Sequence, residues 1–288
     1  MKLIETHIVP AGVKDIRLQE YAVSIFKAAP TKSSIKKAIK RGEIKIDGEA
    51  ANTGDWIKEG HKIELFGQEA PKKIFSLNLE ILFEDDHIAV VNKPAGFPTS
   101  GNYFKTITNA LPFNLEPSEA STALPAPQPA HRLDNATSGL LLIAKTGESL
   151  RRLHRDFEEK KIQKIYTALV HGIFPKQNVC QDDIEGKTSE TEIHLIKSFR
   201  YNGVNLTLVS AIPKTGRTHQ IRIHLSRAGF PIVGDKLYGL ENNLLDQKEL
   251  FLAATTLKFQ HPKTQEWINI AVAPPKRFIK IKDQSKLT

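Results

Sequence analysis

The sequence predicts an α+β fold built around a mixed, largely antiparallel sheet. Three observations support this class: strand-like apolar runs dominate the chain from residue 79 onward, amphipathic helical runs lie between them, and the two kinds do not alternate in a strict β-α-β order. The 288 residues are 40% hydrophobic and 25% charged, which argues against disorder of the whole chain and allows a sizeable core. We therefore expect one small domain followed by one large domain.

The first seventy residues carry the signals of two helices and a small sheet. Apolar residues from Leu18 to Phe26 recur at helical spacing, with Asp15 as the expected N-cap. The stretch "TKSSIKKAIKRG" predicts a second helix that ends at Gly42. "EIKIDGEA" and "HKIELFG" alternate as strands. We expect residues 1–70 to form a separate small domain, with "FGQEAPKK" as the linker that follows it.

The larger domain, residues 71–288, begins with two strands in "LNLEILFEDDHIAVVNKPAG". Residues 102–130 contain five prolines and the low-complexity run "LPAPQPA", which predicts a long loop. The sequence then predicts a buried strand in "GLLLIAKT", a helix in "ESLRRLHRDFEEKK", and strands in "KIYTALVHG" and "GVNLTLVSAI". "TGRTHQIRIHLSRAGF" predicts a tight turn into a helix, and "FLAATTLKFQHPKTQEWINIAVAPP" a terminal hairpin.

The charge of the chain favours a polyanionic partner. Its formal net charge is +9, and basic surfaces attract ligands that bear phosphate groups. Six Lys or Arg residues and one acid lie between Lys32 and Lys45, so the second helix presents positive charge. The alternative is a solvated, solubilising helix face, which is the usual role of an isolated charge run.

The single cysteine and the N-terminus bear on the compartment. Cys180 alone cannot form an intramolecular disulfide or a thiolate metal cluster, which fits a reducing environment. The start "MKLIETHIVPAG" lacks the apolar core of a secretory signal, and no run is long enough to cross a bilayer. We expect a cytoplasmic protein that has no membrane partner and is a monomer.

Motifs for metals, nucleotides and serine nucleophiles are missing from the sequence. His219 and His224 are five positions apart, which does not place them together on one helix face. No phosphate-binding glycine loop, dinucleotide fingerprint or G-x-S-x-G elbow occurs. We expect neither a metal nor a cofactor.

The stretch "HRLDNATSGLLLIAKT" places the carboxylate of Asp134 in a polar loop ahead of an apolar strand. A single carboxylate can serve glycosidic chemistry as a nucleophile if a positioned cation keeps it ionised, and a nucleobase is an easier leaving group than a sugar alcohol. The structural alternative is a polar turn that Asp134 or Asn135 caps, with Gly139 at an unusual backbone angle. The residue types alone leave both interpretations open.

The same stretch resembles, almost residue for residue, the catalytic motif of the RluA family of pseudouridine synthases. "VVNKPAGFPTSG", "KIYTALVHG" and "TGRTHQIRIHLSRAGFPIVGDKLYG" agree with the family in order and spacing. The basic N-terminal unit resembles the RNA-binding domain of a small-subunit ribosomal protein, which often precedes this catalytic domain. The resemblance covers about residues 15–276 and implies a pseudouridine synthase fold that acts on RNA.

The resemblance assigns a role to each matching residue. It implies that Asp134 is the nucleophile, that Arg132 enters the RNA stack in place of the flipped nucleotide, and that Tyr166 stacks on the target ring and helps to remove a proton. It also implies that Arg222 forms a salt bridge with the aspartate and that Leu252 is an apolar wall of the pocket. A flipped base needs an aromatic partner and leaves a gap to fill.

We also expect several residues to contact RNA. They are Arg17, Lys32, Lys36, Lys37, Lys40, Arg41, Lys93, Arg217 and His219.

Two departures from the family pattern affect the expectations for the pocket and for RNA binding. The usual Leu-His-Ala run is Leu252-Ala253-Ala254 here, and the usual Arg-Leu-Asp start of the N-terminal unit is Arg17-Leu18-Gln19, with Lys32 in place of a common arginine.

The implied activity is the isomerisation of specific uridines in structured RNA, in ribosomal RNA first and transfer RNA second. Asp134 would attack the anomeric carbon or the uracil ring, or assist formation of a glycal, and the sequence does not choose among these routes. One alternative is a non-catalytic RNA-binding or ribosome-assembly protein with the same fold. Another is a nucleoside hydrolase, for which the long basic surface would be superfluous.

The basic helix provides a first test. Replacement of Lys36, Lys37 and Lys40 together by alanine should weaken RNA binding and reduce its salt dependence, because each phosphate contact releases counterions. The slope of log K against log salt concentration should become shallower by roughly 2–3. Binding of total cellular RNA at several salt concentrations measures this slope. An unchanged slope would show that the helix is merely solvated.

Overall fold

The computed structural model describes residues 1–67, 74–240 and 249–284. Residues 68–73, the last six of the predicted linker, lie outside these ranges. Within them, no helix is long and apolar enough to cross a membrane.

The N-terminal unit contains a four-stranded sheet, a two-stranded sheet and two helices. Its elements are β1 (Lys2–Ile8), β2 (Ile16–Arg17), α1 (Leu18–Tyr21), a 3₁₀ turn (Ala22–Ser24), α2 (Lys32–Lys40), β3 (Ile44–Ile46), β4 (Glu49–Ala50), β5 (Trp56–Ile57) and β6 (Lys62–Gly67). The larger sheet has the order β1-β6-β3-β4, and β2 pairs with β5. The sequence analysis missed β1, whose exposed apolar residues obscure the alternation of a half-buried strand.

The first helix differs from the prediction, whereas the second agrees with it. Asp15 is not the N-cap of α1: it has a φ of 51°, and the cap is Arg17, whose β2 pairing holds the chain extended up to the helix. In α2, Thr31 and Ser34 form a capping box, with the Ser34 amide donating to Thr31 Oγ1 at 3.1 Å. Gly42, at a φ of 68°, follows the end of that helix as predicted.

The larger unit is organised around one ten-stranded sheet. Its strands are β7 (Glu80–Glu84), β8 (Ile88–Lys93), β9 (Ala123–Pro129), β10 (Ser138–Thr146), β11 (Gln163–His171), β12 (Gln177–Cys180), β13 (Thr191–Tyr201), β14 (Val204–Pro213), β15 (Leu252–Gln260) and β16 (Trp267–Ala271). The order is β12-β13-β14-β11-β15-β10-β8-β7, with β9 beside β10 and β16 beside β15. Its helices are α3 (Ile107–Asn114), α4 (Gly147–Glu158), α5 (Gln220–Arg227) and α6 (Lys276–Gln284). This confirms the predicted α+β class and the terminal hairpin.

The prediction of a long loop over residues 102–130 is wrong. The segment contains α3, capped by Thr106, whose Oγ1 accepts from the Asn109 amide at 3.2 Å, and also the strand β9. Prolines misled the prediction because they are tolerated in an edge strand, where no neighbour needs their missing N–H groups. The short strand β12, its partner β13 and the terminal helix α6 were not predicted.

The centre of the sheet is buried on both faces. All nine residues of β10 are buried, and successive side chains enter different apolar clusters. Leu141 and Ile143 pack into one cluster, whereas Leu140 and Leu142 pack into the cluster under α4. The N-terminal unit has a separate core, to which Leu18 belongs.

Strand β10 meets β15 through the one parallel pairing among the described strands. Gly139 lies opposite Ala254, has a φ of +113°, and approaches so closely that a Cβ atom would lie 2.1 Å from the Ala254 carbonyl oxygen. Gly139 also pairs with Lys93, and Ala254 with Tyr166. One row of residues across four strands therefore joins Lys93, Gly139, Ala254 and Tyr166.

The close approach at Gly139 predicts a large stability defect. Gly139→Ala combines a strained backbone angle with a collision against backbone, so we expect the free energy of unfolding to fall by roughly 3 kcal/mol or more. Urea denaturation measures the change. Gly54→Ala is the matched control, since no atom lies within 4 Å of the added Cβ and its φ is not in the left-handed region. Equal stability of the two variants would contradict the role of Gly139.

Candidate active site

Asp134 lies in the turn between β9 and β10, where its side chain is 20% exposed. The backbone closes this turn with a hydrogen bond from the Thr137 amide to the Asp134 carbonyl at 3.1 Å. On the preceding side, Thr99 Oγ1 donates to the Leu133 carbonyl at 2.9 Å and accepts from its amide at 3.1 Å. The turn is thus fixed immediately before and after the carboxylate.

Lys93 supports the same turn from beneath. Its side chain is fully buried, and Nζ donates to the carbonyls of Pro94, Asn135 and Thr137 at 3.0, 3.2 and 2.7 Å. Burial lowers the pKa of Lys93 to about 8, although the charge of Asp134 acts in the opposite direction. The expectation that Lys93 contacts RNA is therefore wrong, because the ammonium group has no exposed surface.

Arg222 forms its ion pair with Asp235 and not, as the resemblance implied, with Asp134. Nε and Nη2 donate to the two oxygens of Asp235 at 2.8 and 2.7 Å, and both side chains are buried. Amides at positions 237 and 238 donate to the same carboxylate. This bidentate pair directs Nε and Nη2 to Asp235, and no described hydrogen bond joins Arg222 to Asp134, so its effect on Asp134 is electrostatic and acts at longer range.

His219 is the cation-forming side chain that comes closest to Asp134. Its Nε2 lies 3.9 Å from Asp134 Oδ2, a contact that becomes an ion pair when the imidazole is protonated. The residue immediately precedes α5 with a φ of 55°, and Nδ1 is 3.1 Å from the hydroxyl of Tyr238. The Tyr238 ring also lies over the guanidinium of Arg222, at 5.1 Å. Tyr238 therefore connects His219 to the Arg222–Asp235 pair.

Tyr166 enters the site from β11 and is 9% exposed. Burial, and secondarily the charge of Asp134, raises the pKa of the Tyr166 phenol above its ordinary value. Tyr166 is therefore a neutral phenol at physiological pH. His131 is neutral too, because burial and the nearby Lys164 lower its pKa to about 3, and its Nε2 accepts a hydrogen bond from the Leu142 amide.

These side chains line one cavity of about 680 Å³. The sequence-predicted residues that it brings together are Arg132, Asp134, Tyr166, Arg217, His219, Arg222 and Leu252. Lys164, which the prediction missed, lies two positions before Tyr166 on the same strand and also lines the cavity. A cavity whose described lining holds more cations than carboxylates suits an anionic ligand that carries an uncharged reactive group.

Arg132 is exposed, and its side chain makes no hydrogen bond or ion pair with the residues that the structure describes. Arg217, by contrast, donates from Nε to the Thr188 carbonyl at 3.2 Å.

The resemblance did not identify Asp235 or Tyr238 as part of the site. Both lie within the quoted stretch "GDKLYG", but the sequence alone does not show which basic residue they contact.

The predicted RNA-binding residues of the N-terminal unit lie on its surface. Lys32 forms an ion pair with Glu20, and Arg41 donates to both oxygens of Glu43 at 2.7 and 2.5 Å. The remaining lysines of α2 are exposed and have no ion pair with described residues: Lys36, Lys37 and Lys40. The Arg17 guanidinium lies over the exposed ring of Trp56, at 5.3 Å.

Comparisons with known proteins give consistent matches for this chain. Residues 87–227 match the RNA pseudouridylate synthase family. The chain is 32% identical to an uncharacterized RNA pseudouridine synthase of Aquifex aeolicus, over 86% of this chain and 87% of the relative. It is 34% identical to ribosomal large subunit pseudouridine synthase C of Buchnera aphidicola from Schizaphis graminum, over 90% of each chain, and 33% identical to that of Haemophilus influenzae, over 87% and 85%.

A solved structure supports the same assignment. Human RNA pseudouridylate synthase domain containing 1 superimposes with a TM-score of 0.58 and 25% identity, covering 73% of this chain and 87% of the human one. The similarity of sequence and the similarity of fold therefore point to one family. The chain belongs to the RNA pseudouridine synthase family.

Proposed function

We propose that the protein isomerises specific uridines of large-subunit ribosomal RNA to pseudouridine. The observation that carries the proposal is the carboxylate of Asp134, fixed in a cavity that also holds Tyr166 and is lined by several cations. The relatives from Haemophilus and Buchnera are named as large-subunit enzymes, which supports ribosomal RNA ahead of transfer RNA as the substrate.

The reaction exchanges one glycosidic bond for another without loss of heavy atoms. The bond between uracil N1 and ribose C1′ breaks, the base turns within the cavity, and C5 becomes bonded to C1′. C5 loses a proton and N1 gains one, so atoms and charge balance. The protein must therefore supply a nucleophile, a path for the C5 proton and room for the turning base.

We assign the nucleophile to Asp134. The other carboxylate among the described lining residues, Glu158, is exposed at the end of α4. Among the described residues, no cation donates a hydrogen bond to the Asp134 carboxylate. The contact with His219 is 3.9 Å long, so the carboxylate oxygens remain available to the substrate. The buried Lys93 stabilises the turn through carbonyl groups and leaves the carboxylate itself free.

Tyr166 contacts the uracil ring and relays the C5 proton. Because its raised pKa keeps the phenol protonated, Tyr166 accepts the C5 proton only as it gives its own proton to another group or to solvent. A flat, buried ring at the floor of the cavity also offers the stacking surface that a flipped base requires.

Arg132 fills the gap that the flipped uridine leaves. It is exposed beside Asp134, and its guanidinium has no partner among the described residues that would restrain it. Extruding a base costs a few kcal/mol, and a cationic, planar side chain that enters the stack offsets part of this cost.

We further propose that residues 1–70 form an RNA-binding domain and residues 71–288 the catalytic domain. The N-terminal unit has its own apolar core. On α2, Lys36, Lys37 and Lys40 are exposed and form no ion pair with a described residue. Arg151 Nη1 donates to the Pro30 carbonyl at 3.5 Å, which links the residue just before α2 to the helix α4 of the larger unit.

The activity test compares the wild type with Asp134→Asn on large-subunit ribosomal RNA transcribed with C5-tritiated uridine. We expect tritium release from the wild type and a loss of roughly 10³-fold or more in the variant, as removal of a nucleophile causes. Asp183→Asn, which changes an exposed carboxylate outside the cavity, is the matched control. Transfer RNA and small-subunit transcripts establish which RNA is used. No release from any of them would favour a non-catalytic RNA-binding role.

The Arg222–Asp235 pair predicts a pH-dependent stability effect. Burial alone raises the pKa of Asp235, but hydrogen bonds from Arg222 and two amides outweigh it, so the pKa lies below its ordinary value. The stabilisation is therefore complete above the unfolded pKa of about 4 and is lost as the pH falls through the lower folded value. Asp235→Asn should cost about 3–5 kcal/mol at pH 7, because it leaves a buried guanidinium without its partner.

Urea denaturation at neutral and acid pH measures this effect. The difference between wild type and Asp235→Asn should shrink as the pH falls below about 4, because the carboxylate is protonated first in the unfolded state and in the folded state only at its lower pKa. Glu20→Gln breaks an exposed ion pair with Lys32 and should change the stability by less than about 1 kcal/mol. A difference that stays constant across this pH range would contradict the proposed pairing.

A further inference from the structure

A second cavity, of about 570 Å³, adjoins the active-site cavity. The linings of the two cavities share Ala130, His131 and Arg132. Its volume lies in the range of about 300–1,000 Å³ that is typical of small-molecule sites. The proposed isomerisation does not use this cavity, although Arg132 belongs to both.

The wall of the second cavity is the proline-rich strand β9. Ala126, Pro127, Gln128 and Pro129 line the cavity, and β9 pairs only with β10. Proline rings fix the backbone φ angle, so this wall is rigid before any ligand binds. A rigid, mostly apolar wall lowers the entropic cost of binding a flat ligand.

The polar groups in the lining include amides and hydroxyls. Gln128 is half-buried, and its side-chain amide makes no hydrogen bond with a described residue. The side-chain amide of Asn109 donates to the backbone carbonyls of Tyr103 and Phe104, at 3.2 and 2.9 Å. Its side-chain oxygen, Oδ1, has no hydrogen-bond partner among the described residues. Amides of this kind offer one donor and one acceptor side by side, which matches the edge of a nucleobase.

The charge of the second cavity differs from that of the first. Arg132 is the one fully charged side chain among its described lining residues, and burial lowers the pKa of His154, with Glu158 opposing. Tyr103, whose backbone carbonyl accepts a hydrogen bond from the side-chain amide of Asn109, is 72% exposed. Exposed aromatic rings near amide groups are typical of base-stacking surfaces.

We propose that the second cavity binds the base of a nucleotide adjacent to the target uridine. The inference rests on the proposed function, because it takes RNA as the ligand of the first cavity. When Arg132 enters the RNA stack, the target lies on one side of it in the first cavity, and a neighbouring nucleotide lies on the other side. The second cavity gives that neighbour an unstacked position, with Gln128 reading its edge.

The experiment begins from the uridine mapped in the ribosomal RNA transcript. Each nucleotide next to that uridine is replaced by the other bases in turn, and kcat/KM for tritium release is measured on every transcript. The wild type should prefer one base at one neighbouring position. Gln128→Ala should lower kcat/KM on the preferred transcript by about threefold to tenfold, the value of one neutral hydrogen bond, and should remove the preference.

Two further variants separate specificity from structure. Gln128→Glu keeps the shape but replaces the amide donor with an acceptor, so it should change which base is preferred at that same position. Gln260→Ala makes the same truncation at a partly exposed glutamine of β15, outside both cavities, and should keep the wild-type preference. A preference that survives in both Gln128 variants would overturn the inference, and so would a wild type with no preference. No tritium release by the wild type would instead overturn the proposed function.

Discussion

The site depends on the close contact between β10 and β15 at Gly139. Strand β10 is antiparallel to β8 but parallel to β15, and the parallel contact covers only Ser138 and Gly139, immediately after the turn that carries Asp134. Because Gly139 has no side chain, the two backbones approach within a distance that a Cβ atom would not allow. The contact brings Tyr166 of the next strand into the same row. The chemistry therefore depends on a backbone constraint that lies outside the reacting groups.

Electrostatic support reaches Asp134 indirectly. The buried ammonium of Lys93 binds carbonyl groups of the turn, and the buried guanidinium of Arg222 binds Asp235. Both cations are thereby held close to the carboxylate without occupying its oxygens. A direct bidentate ion pair at Asp134 would occupy the oxygens that must attack a substrate. The arrangement instead leaves the nucleophile accessible, with His219 Nε2 3.9 Å from Asp134 Oδ2.

The sequence was sufficient to predict most elements and the residues around the cavity, because the matching motifs place them at strand ends and at one helix start. It did not predict the pairings. Arg222 contacts a carboxylate thirteen positions later, and that choice depends on a left-handed residue at His219 and on the turn after Asp235. Lys93 was expected to contact RNA, but it is fully buried, which is rare for a lysine. The strand β9 was missed because prolines mark loops in most contexts, and only the position at a sheet edge makes them compatible with a strand.

Helix α4 connects the parts of the molecule that the proposed function requires to act together. Near its start, Arg151 contacts Pro30, just before the basic helix α2, and near its end Phe157 lines the active-site cavity. Arg151 and Phe157 are six positions apart, about 9 Å along the helix axis, so α4 holds these two contacts at a fixed separation. His154 lies one turn after Arg151 on the same face of α4, between Arg151 and Phe157, and lines the second cavity. Both cavities therefore contact the helix that also contacts the N-terminal unit, so an RNA held by α2 and by the two cavities would be positioned against one rigid element.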